Sequence, residues 1–251
     1  MYRLEQAEPT EEFKRAWSAA GQYIQRQADS GFNWLRTSLN LPMAEHLSFR
    51  IGNQIFFVFV EAAEFTYKYD GRIFDKVCKE ANAIPCLMPM SKSLGEWEPN
   101  NVGWALINAN SNKAINPLDF VTDELIEMTD WELHDFAIQV VCSGLVKDGK
   151  NIFSKQPSCE INPSIWFEDE YGPHYVVVRA ARYPETEVSV PNNIDDIKLE
   201  CSEMSKSGYF APVILVNSGD PFDSNAKSNG NFLPLYRGVG IFPNYPGISA
   251  L

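Results

Sequence analysis

The sequence predicts an α/β (α+β) protein of mixed sheets flanked by helices, in two closely packed halves of about residues 1–115 and 116–251. Three observations carry this reading. Apolar residues recur at helical spacing in some stretches, and alternate or run together over roughly four to eight residues in others. The stretch Asn108 to Pro117, rich in Asn and closed by Pro, separates two segments that each mix hairpins with helices. Finally, 45% hydrophobic and 22% charged residues are ordinary for a globular chain, and 16 Phe, 10 Tyr and 6 Trp supply the apolar area a core needs.

The first half opens with a helix expected from about Glu11 to Leu39, with Thr10 as N-cap, an apolar stripe through Phe13, Ala16, Trp17, Ala20, Ile24, Ala28 and Leu35, and Pro42 as its stop. Gly31 is a candidate break in it. The period then changes. Leu47–Ile51, Gly52-Asn53 and Gln54–Val60 read as a hairpin, and the adjacent Phe57 and Val58 predict that both faces of the second strand are covered. A helix follows over about Arg72 to Ala83, with Phe74, Val77 and Cys78 inward. Cys86 to Met90 reads as a strand that Pro89 assigns to an edge or an irregular end, and Val102 to Ile107 as another.

The second half starts with the clearest signal in the chain. Thr129-Asp130-Trp131-Glu132 is a T-x-x-E capping box, and Leu133, Phe136, Ala137, Val140, Val141 and Leu145 make one apolar face. Lys147 suits the last turn and Gly149 the C′ position. Asn162 to Glu168 and His174 to Ala181 read as a hairpin with a loop of about five residues. A helix over Ile194 to Met204, a central strand over Tyr209 to Val216, an exposed loop over Ser218 to Asn231 and a last strand within Leu233 to Phe242 complete the expectation.

Charge and special residues exclude several function classes. Thirty-three acids against 21 bases give a formal charge of −12, a field that disfavours nucleic acid and anionic lipid as partners. Asp119, Asp123, Glu124, Glu127, Asp130, Glu132 and Asp135 occur with no Lys or Arg among them and predict a solvated acidic face. Five scattered cysteines without a CxxC pair fit a reducing compartment, hence the cytoplasm, with most of them as buried thiols. His46, His134 and His174 form no metal-binding motif, and His134 and His174 are expected as ordinary surface or boundary residues. Residues 1–10 lack the pattern of a signal peptide, and the longest apolar run, Ile55 to Val60, is far short of the roughly 20 residues that cross a bilayer.

The order helix, hairpin, helix, strand over Thr129 to Val216 resembles the PD-(D/E)xK nuclease-like fold, also called restriction-endonuclease-like. The resemblance implies a helix acid, an acid at a strand bend and an E/D-x-K on the next strand gathered around Mg²⁺. Glu132 matches the first position. The bend offers Asn162 and Ser164, and the third motif reads Val177-Val178-Arg179. Two of the three carboxylates that a hard cation needs are thus absent, and a role in the capping box accounts for Glu132 without chemistry. Taken whole, the chain also resembles an uncharacterised bacterial protein family, which implies no activity.

The expected function is therefore that of a soluble cytoplasmic binding or interaction protein without a cofactor, whose partner is a protein or a small anionic ligand, and not a membrane. The alternative is a Mg²⁺-dependent nuclease or phosphodiesterase with a degenerate site that uses Glu132. Arg179 ends the apolar run HYVVVRAA, on the strand face of Tyr175. With Arg182, Tyr183 and Tyr175 it is the candidate binding group, since a guanidinium pairs with carboxylate or phosphate in a planar fork. The competing structural account has Arg179 paired with Glu132 or Asp135. Trp97, Trp104, Phe222, Phe232, Tyr236, Phe242 and Tyr245 are candidates for an aromatic contact surface.

Overall fold

A computed structural model describes residues 9–28, 31–37, 39, 46–62, 71–220 and 226–251. They fall into two compact units, the described residues up to 125 and those from 126 to 251. Each is α/β with a mixed sheet flanked by helices.

In the first unit Glu11–Gln27 forms α1, with the Thr10 hydroxyl accepting from the Phe13 N–H at 3.2 Å. Phe13, Ala16, Ala20 and Ile24 bury the expected stripe. The expectation of one helix to Leu39 is corrected. Ala28 is already extended, Gly31 has φ 93°, and Phe32–Arg36 is a strand, β1. It pairs antiparallel with β2 (Leu47–Ile51), which lets Phe32 stack on Phe49 at 5.1 Å, a contact that an isolated helix would not supply. Pro42 lies outside the described residues. β2 and β3 (Gln54–Ala62) form the expected hairpin across Gly52, whose φ of 56° suits glycine. β3 is covered on both faces: Phe56, Val58 and Val60 share a core with α1, while Phe59 meets Phe74 of α2 (Gly71–Glu80) edge-on at 6.1 Å.

Ala83–Ser93 forms β4, which is central and not at an edge. It runs parallel to β3 on one side and antiparallel to β5 (Glu96–Pro99) and β6 (Leu106–Asn108) on the other. The prolines are accommodated because β5 meets residues 90–93 and β6 meets 86–87, leaving Pro89 at the gap between them. The Pro85 and Pro89 carbonyls point to that side, accepting from Ala109 and Asn100, so the missing N–H groups fall there too. The strand expected from Val102 begins only at Leu106; Val102 is exposed and Ala105 has φ 56°. β7 (Ala114–Ile115) and a 3-10 turn at Pro117–Phe120 follow within the same unit. Trp97 and Trp104 are buried, so neither serves an aromatic surface.

The second unit begins with α3 (Asp130–Lys147), which carries the predicted capping box, and Gly149 stands beyond its end at φ 75°. Its sheet runs β12-β11-β10-β9-β8, with β13 also on β11. β8 (Asn151–Lys155), which the sequence reading did not find, pairs antiparallel with β9 (Ile165–Asp169). β9 pairs antiparallel with β10 (Gly172–Arg182) through a turn of Glu170 and Tyr171, shorter than expected because the Asp169 carboxylate accepts from the Tyr171 N–H and Gly172 takes φ 111°. After α4 (Ile194–Cys201), β11 (Gly208–Asn217) lies parallel to β10.

β10 is covered on both faces, as its apolar run predicts. Val176 and Val178 pack with Leu133, Ala137 and Val141 of α3, and Tyr175 and Val177 pack with Ile197 and Cys201 of α4. A short helix α5 (Ala226–Asn229) occupies part of the expected loop, and Phe222 lies outside the described residues. The last strands are β12 (Ile241–Asn244) and β13 (Ser249–Ala250), later than expected; around residue 236 there is only a bridge between Glu127 and Tyr236. No helix among the described residues is long and apolar enough to cross a membrane.

Candidate functional site

The start of α3, the segment before β9 and the end of β10 gather the polar side chains that the sequence singles out. Glu132 closes the capping box: its N–H donates to the Thr129 hydroxyl at 3.2 Å, and its Oε2 accepts from the Thr129 N–H at 2.9 Å. The same carboxylate takes two bonds from Arg237, Nε to Oε1 at 3.0 Å and Nη2 to Oε2 at 2.9 Å. The Arg237 side chain is 0% exposed. Both charges are therefore buried together, in a forked arrangement that fixes the plane of the carboxylate. Sequence reasoning missed Arg237 because its partner lies 105 residues away and the local run Tyr236-Arg237-Gly238 carries no pattern.

The acidic run divides. Asp119, Asp123, Glu124, Glu127 and Asp130 are exposed, as a solvated face requires, but Glu132 and Asp135 are buried. Asp135 accepts from the Gln139 amide one turn on, at 2.7 Å. His134 is also corrected from a surface residue to a buried one, 2% exposed, and its Nε2 has no hydrogen-bond partner. Burial, and then the field of Arg179, hold its pKa down to about 4, so the ring is neutral at neutral pH.

Arg179 donates from Nη1 to the Val178 carbonyl at 2.7 Å and from Nη2 to Asn162 Oδ1 at 2.9 Å. The guanidinium is half-buried, burial lowers its pKa, and among the described residues no carboxylate pairs with it. Arg182 is held differently. It binds Asp130 and the Met128 carbonyl, with Glu127 at 3.6 Å. Tyr183 is half-buried, with its N–H on the Leu215 carbonyl at 2.9 Å. Tyr175 is buried on the α4 side of the sheet, its ring against Gly208, and is not gathered with the arginines.

What this arrangement can do follows from its charges. Ser164, at the bend, is buried, and its hydroxyl accepts from the Val178 N–H at 3.2 Å; Val177 is buried under α4. Among the described residues no group of three or more His, Cys, Asp or Glu side chains could hold a metal ion. A half-buried guanidinium within electrostatic reach of a neutral imidazole can instead donate to one negatively charged group. Burial pushes the Cys142 thiol up to about 11 and Cys86 well above the usual range, whereas Cys159, against the expectation of a buried thiol, is exposed, with its Sγ 3.8 Å from the Asp130 carbonyl oxygen.

No curated protein and no solved structure matches the chain. Residues 131–251, nearly the whole of the second unit, match a family described only as a domain of unknown function (DUF8840).

Proposed function

We propose that this chain is a cytoplasmic binding protein whose second unit is a degenerate PD-(D/E)xK nuclease-like core that receives an anionic group at Arg179. One observation carries the reading: the Arg179 guanidinium is half-buried and has no carboxylate partner among the described residues. Burying a charge without a counter-charge costs free energy, and an anionic ligand would offset that cost. The unpartnered Nε2 of His134, close enough to feel the arginine's field, supports a second donor to the same ligand.

The nuclease-like part of the proposal draws support from the order α3, β8, β9, β10, α4, β11, with β8 to β10 antiparallel and β11 parallel to β10. At the positions where the resemblance implies acids stand Glu132, already bound by Arg237, the neutral Asn162 and Ser164, and the apolar Val177. Such a core would bind without cutting.

The test compares thermal midpoints of wild type, Arg179→Lys and Arg179→Met with and without phosphate or short oligonucleotides. A ligand at 100 times its Kd stabilises by about 2.7 kcal/mol. Wild type should gain such protection, Arg179→Lys should lose most of it because the planar fork is gone, and Arg179→Met should keep its unliganded stability without protection. A large destabilisation of Arg179→Met, with no anion protecting wild type, would leave Arg179 as a structural residue. Added Mg²⁺ that shifts the NMR signals around Glu132 would favour metal-assisted hydrolysis instead.

A further inference from the structure

At the other end of β10 from Arg179, three side chains outside the anion site form a chain of hydrogen bonds. His174 Nδ1 lies 2.8 Å from the Ser207 hydroxyl oxygen, and His174 Nε2 lies 2.9 Å from Asp169 Oδ1. The strands fix this geometry. Asp169 ends β9, His174 is the third residue of β10, and Ser207 immediately precedes β11, where its carbonyl accepts from the Tyr175 N–H at 3.2 Å. The imidazole is stacked on Phe167 at 5.0 Å between ring centroids and touches Tyr209 on another side at 5.9 Å, so its plane is held. Asp169 is held as well: Oδ1 accepts from the Tyr171 N–H at 2.9 Å and Oδ2 from Lys150 Nζ at 2.7 Å.

These partners decide the tautomer. The Lys150 ammonium, the Tyr171 N–H and His174 keep Asp169 well below the usual carboxylate range, so it is ionised and can only accept. In the neutral ring Nε2 must therefore carry the proton towards Asp169. Nδ1 is then the bare nitrogen, and the hydrogen between it and Ser207 comes from the serine. A base positioned on a hydroxyl, with a carboxylate orienting the base, is the constellation of an activated serine. The ring nitrogens are exchanged relative to the commonest form of that constellation, but the donor and acceptor roles are the same.

We infer that Ser207 is a nucleophile activated by His174 and oriented by Asp169, and that it takes acyl groups from small carboxylic esters arriving from solvent. Ser207 is half-buried and follows the exposed Lys206, so a small electrophile can reach the hydroxyl. In the step, Ser207 Oγ bonds to the ester carbonyl carbon as its proton passes to His174 Nδ1. The bond from that carbon to the leaving oxygen breaks, and Nδ1 returns the proton to that oxygen. Water then attacks the acyl-serine and gives a proton to Nδ1, which passes it to Ser207 Oγ as the bond from the acyl carbon to Oγ breaks and the carboxylic acid departs. The net reaction is ester plus water to acid plus alcohol, with no other reactant. It is independent of anion binding at Arg179.

The full chain is treated with para-nitrophenyl acetate, and separately with a fluorophosphonate that esterifies serine with loss of fluoride. Mass spectrometry of peptides identifies the residue carrying the label. Ser207 should carry it, and Ser207→Ala should lower the labelling rate at least about 10²-fold, the scale of general-base assistance. Asp169→Asn should do likewise, because an amide donating to Nε2 forces the proton onto Nδ1. Nitrogen-15 NMR of the wild-type imidazole gives a reading that needs no variant: in the neutral ring Nε2 should be protonated and Nδ1 bare. Label on other residues, an unchanged rate in Ser207→Ala, or a proton on Nδ1 in the neutral ring would each overturn the inference and leave the network as a tie between two loops.

Discussion

Replacing Arg237 by Met should destabilise the second unit by about 3–5 kcal/mol, the range for removing one partner of a buried ion pair. The magnitude rests on what is left behind. The Glu132 carboxylate would lose two charge-assisted bonds, at 3.0 and 2.9 Å, while its own side chain stays 6% exposed and still bound to the Thr129 N–H. Charge-assisted bonds contribute roughly 1.5–3 kcal/mol each, so two of them bring about 3–6 kcal/mol, an overlapping range, by a second route. For a protein of this size the loss corresponds to a fall of roughly 6–20 °C in Tm, at about 2–4 °C per kcal/mol. Hydrogen exchange of the α3 amides is the better assay, because it reports the unit that contains the pair.

The companion variant is Glu132→Gln, which preserves the capping-box acceptor but leaves Arg237 buried opposite a neutral amide. The double variant Glu132→Gln with Arg237→Met should be less damaging than the two single effects added together, since it removes both charges, and the difference gives the coupling energy. If Arg237→Met lowered α3 protection by less than about 1 kcal/mol, the pair would not be a buried commitment of Glu132. The Glu132 carboxylate would then not be withheld from metal chemistry.

Three further outcomes are expected. Thr129→Ala should cost about 0.5–2 kcal/mol, since it removes the acceptor for the Glu132 N–H; denaturant melts with an unchanged midpoint would refute the cap. Val178→Asp should prevent the second unit from folding, because the new carboxylate would sit unpaired among Leu133, Ala137 and Val141, and a soluble variant of normal cooperativity would contradict that. The folded pKa of His46 is depressed from 6.5 to about 3 by burial, so its contribution is present above about pH 6.5 and is lost as pH falls towards 3. His134, depressed to about 4, acts in the same direction in the second unit. Melts of His46→Gln from pH 7 to 4 should show a flatter decline in the first unit than wild type, and an equal slope would show that His46 does not carry it.

What could be read in advance was whatever local spacing determines. The T-x-x-E box fixed the start of α3 because both of its bonds close within three residues. The Gly52 hairpin and the doubly covered β10 were legible for the same reason: turn chemistry and apolar runs are local signals. Elements whose identity depends on a distant partner were not legible. β1 continues the helical spacing of α1, and only its pairing with β2 makes it a strand. Pro89 reads as a mark of an edge or an irregular end until the gap between β5 and β6 is known. The candidate site shows the same division. Arg179 stood out because a charge ends an apolar strand, but its Asn162 partner, the burial of His134 and the Arg237 fork are all tertiary facts.

Three arginines near the start of α3 make the electrostatic argument concrete. Arg237 is fully buried and fully compensated, with a bidentate carboxylate as counter-charge. Arg182 is about one third exposed and bound to Asp130, which is mostly exposed, so water screens both and little stability rests on the pair. Arg179 is the intermediate case, half-buried, with only the neutral oxygens of Val178 and Asn162 to accept from it among the described residues. A protein carboxylate opposite Arg179 would lower its cost of burial but would also close the position to a ligand. The nearby acids are instead engaged with other partners, Glu132 with Arg237, Asp130 with Arg182 and Asp135 with Gln139. Of these three guanidinium groups, Arg179 alone has a desolvation that the described residues leave without a counter-charge, and it is therefore the one whose charge an arriving anion would complete.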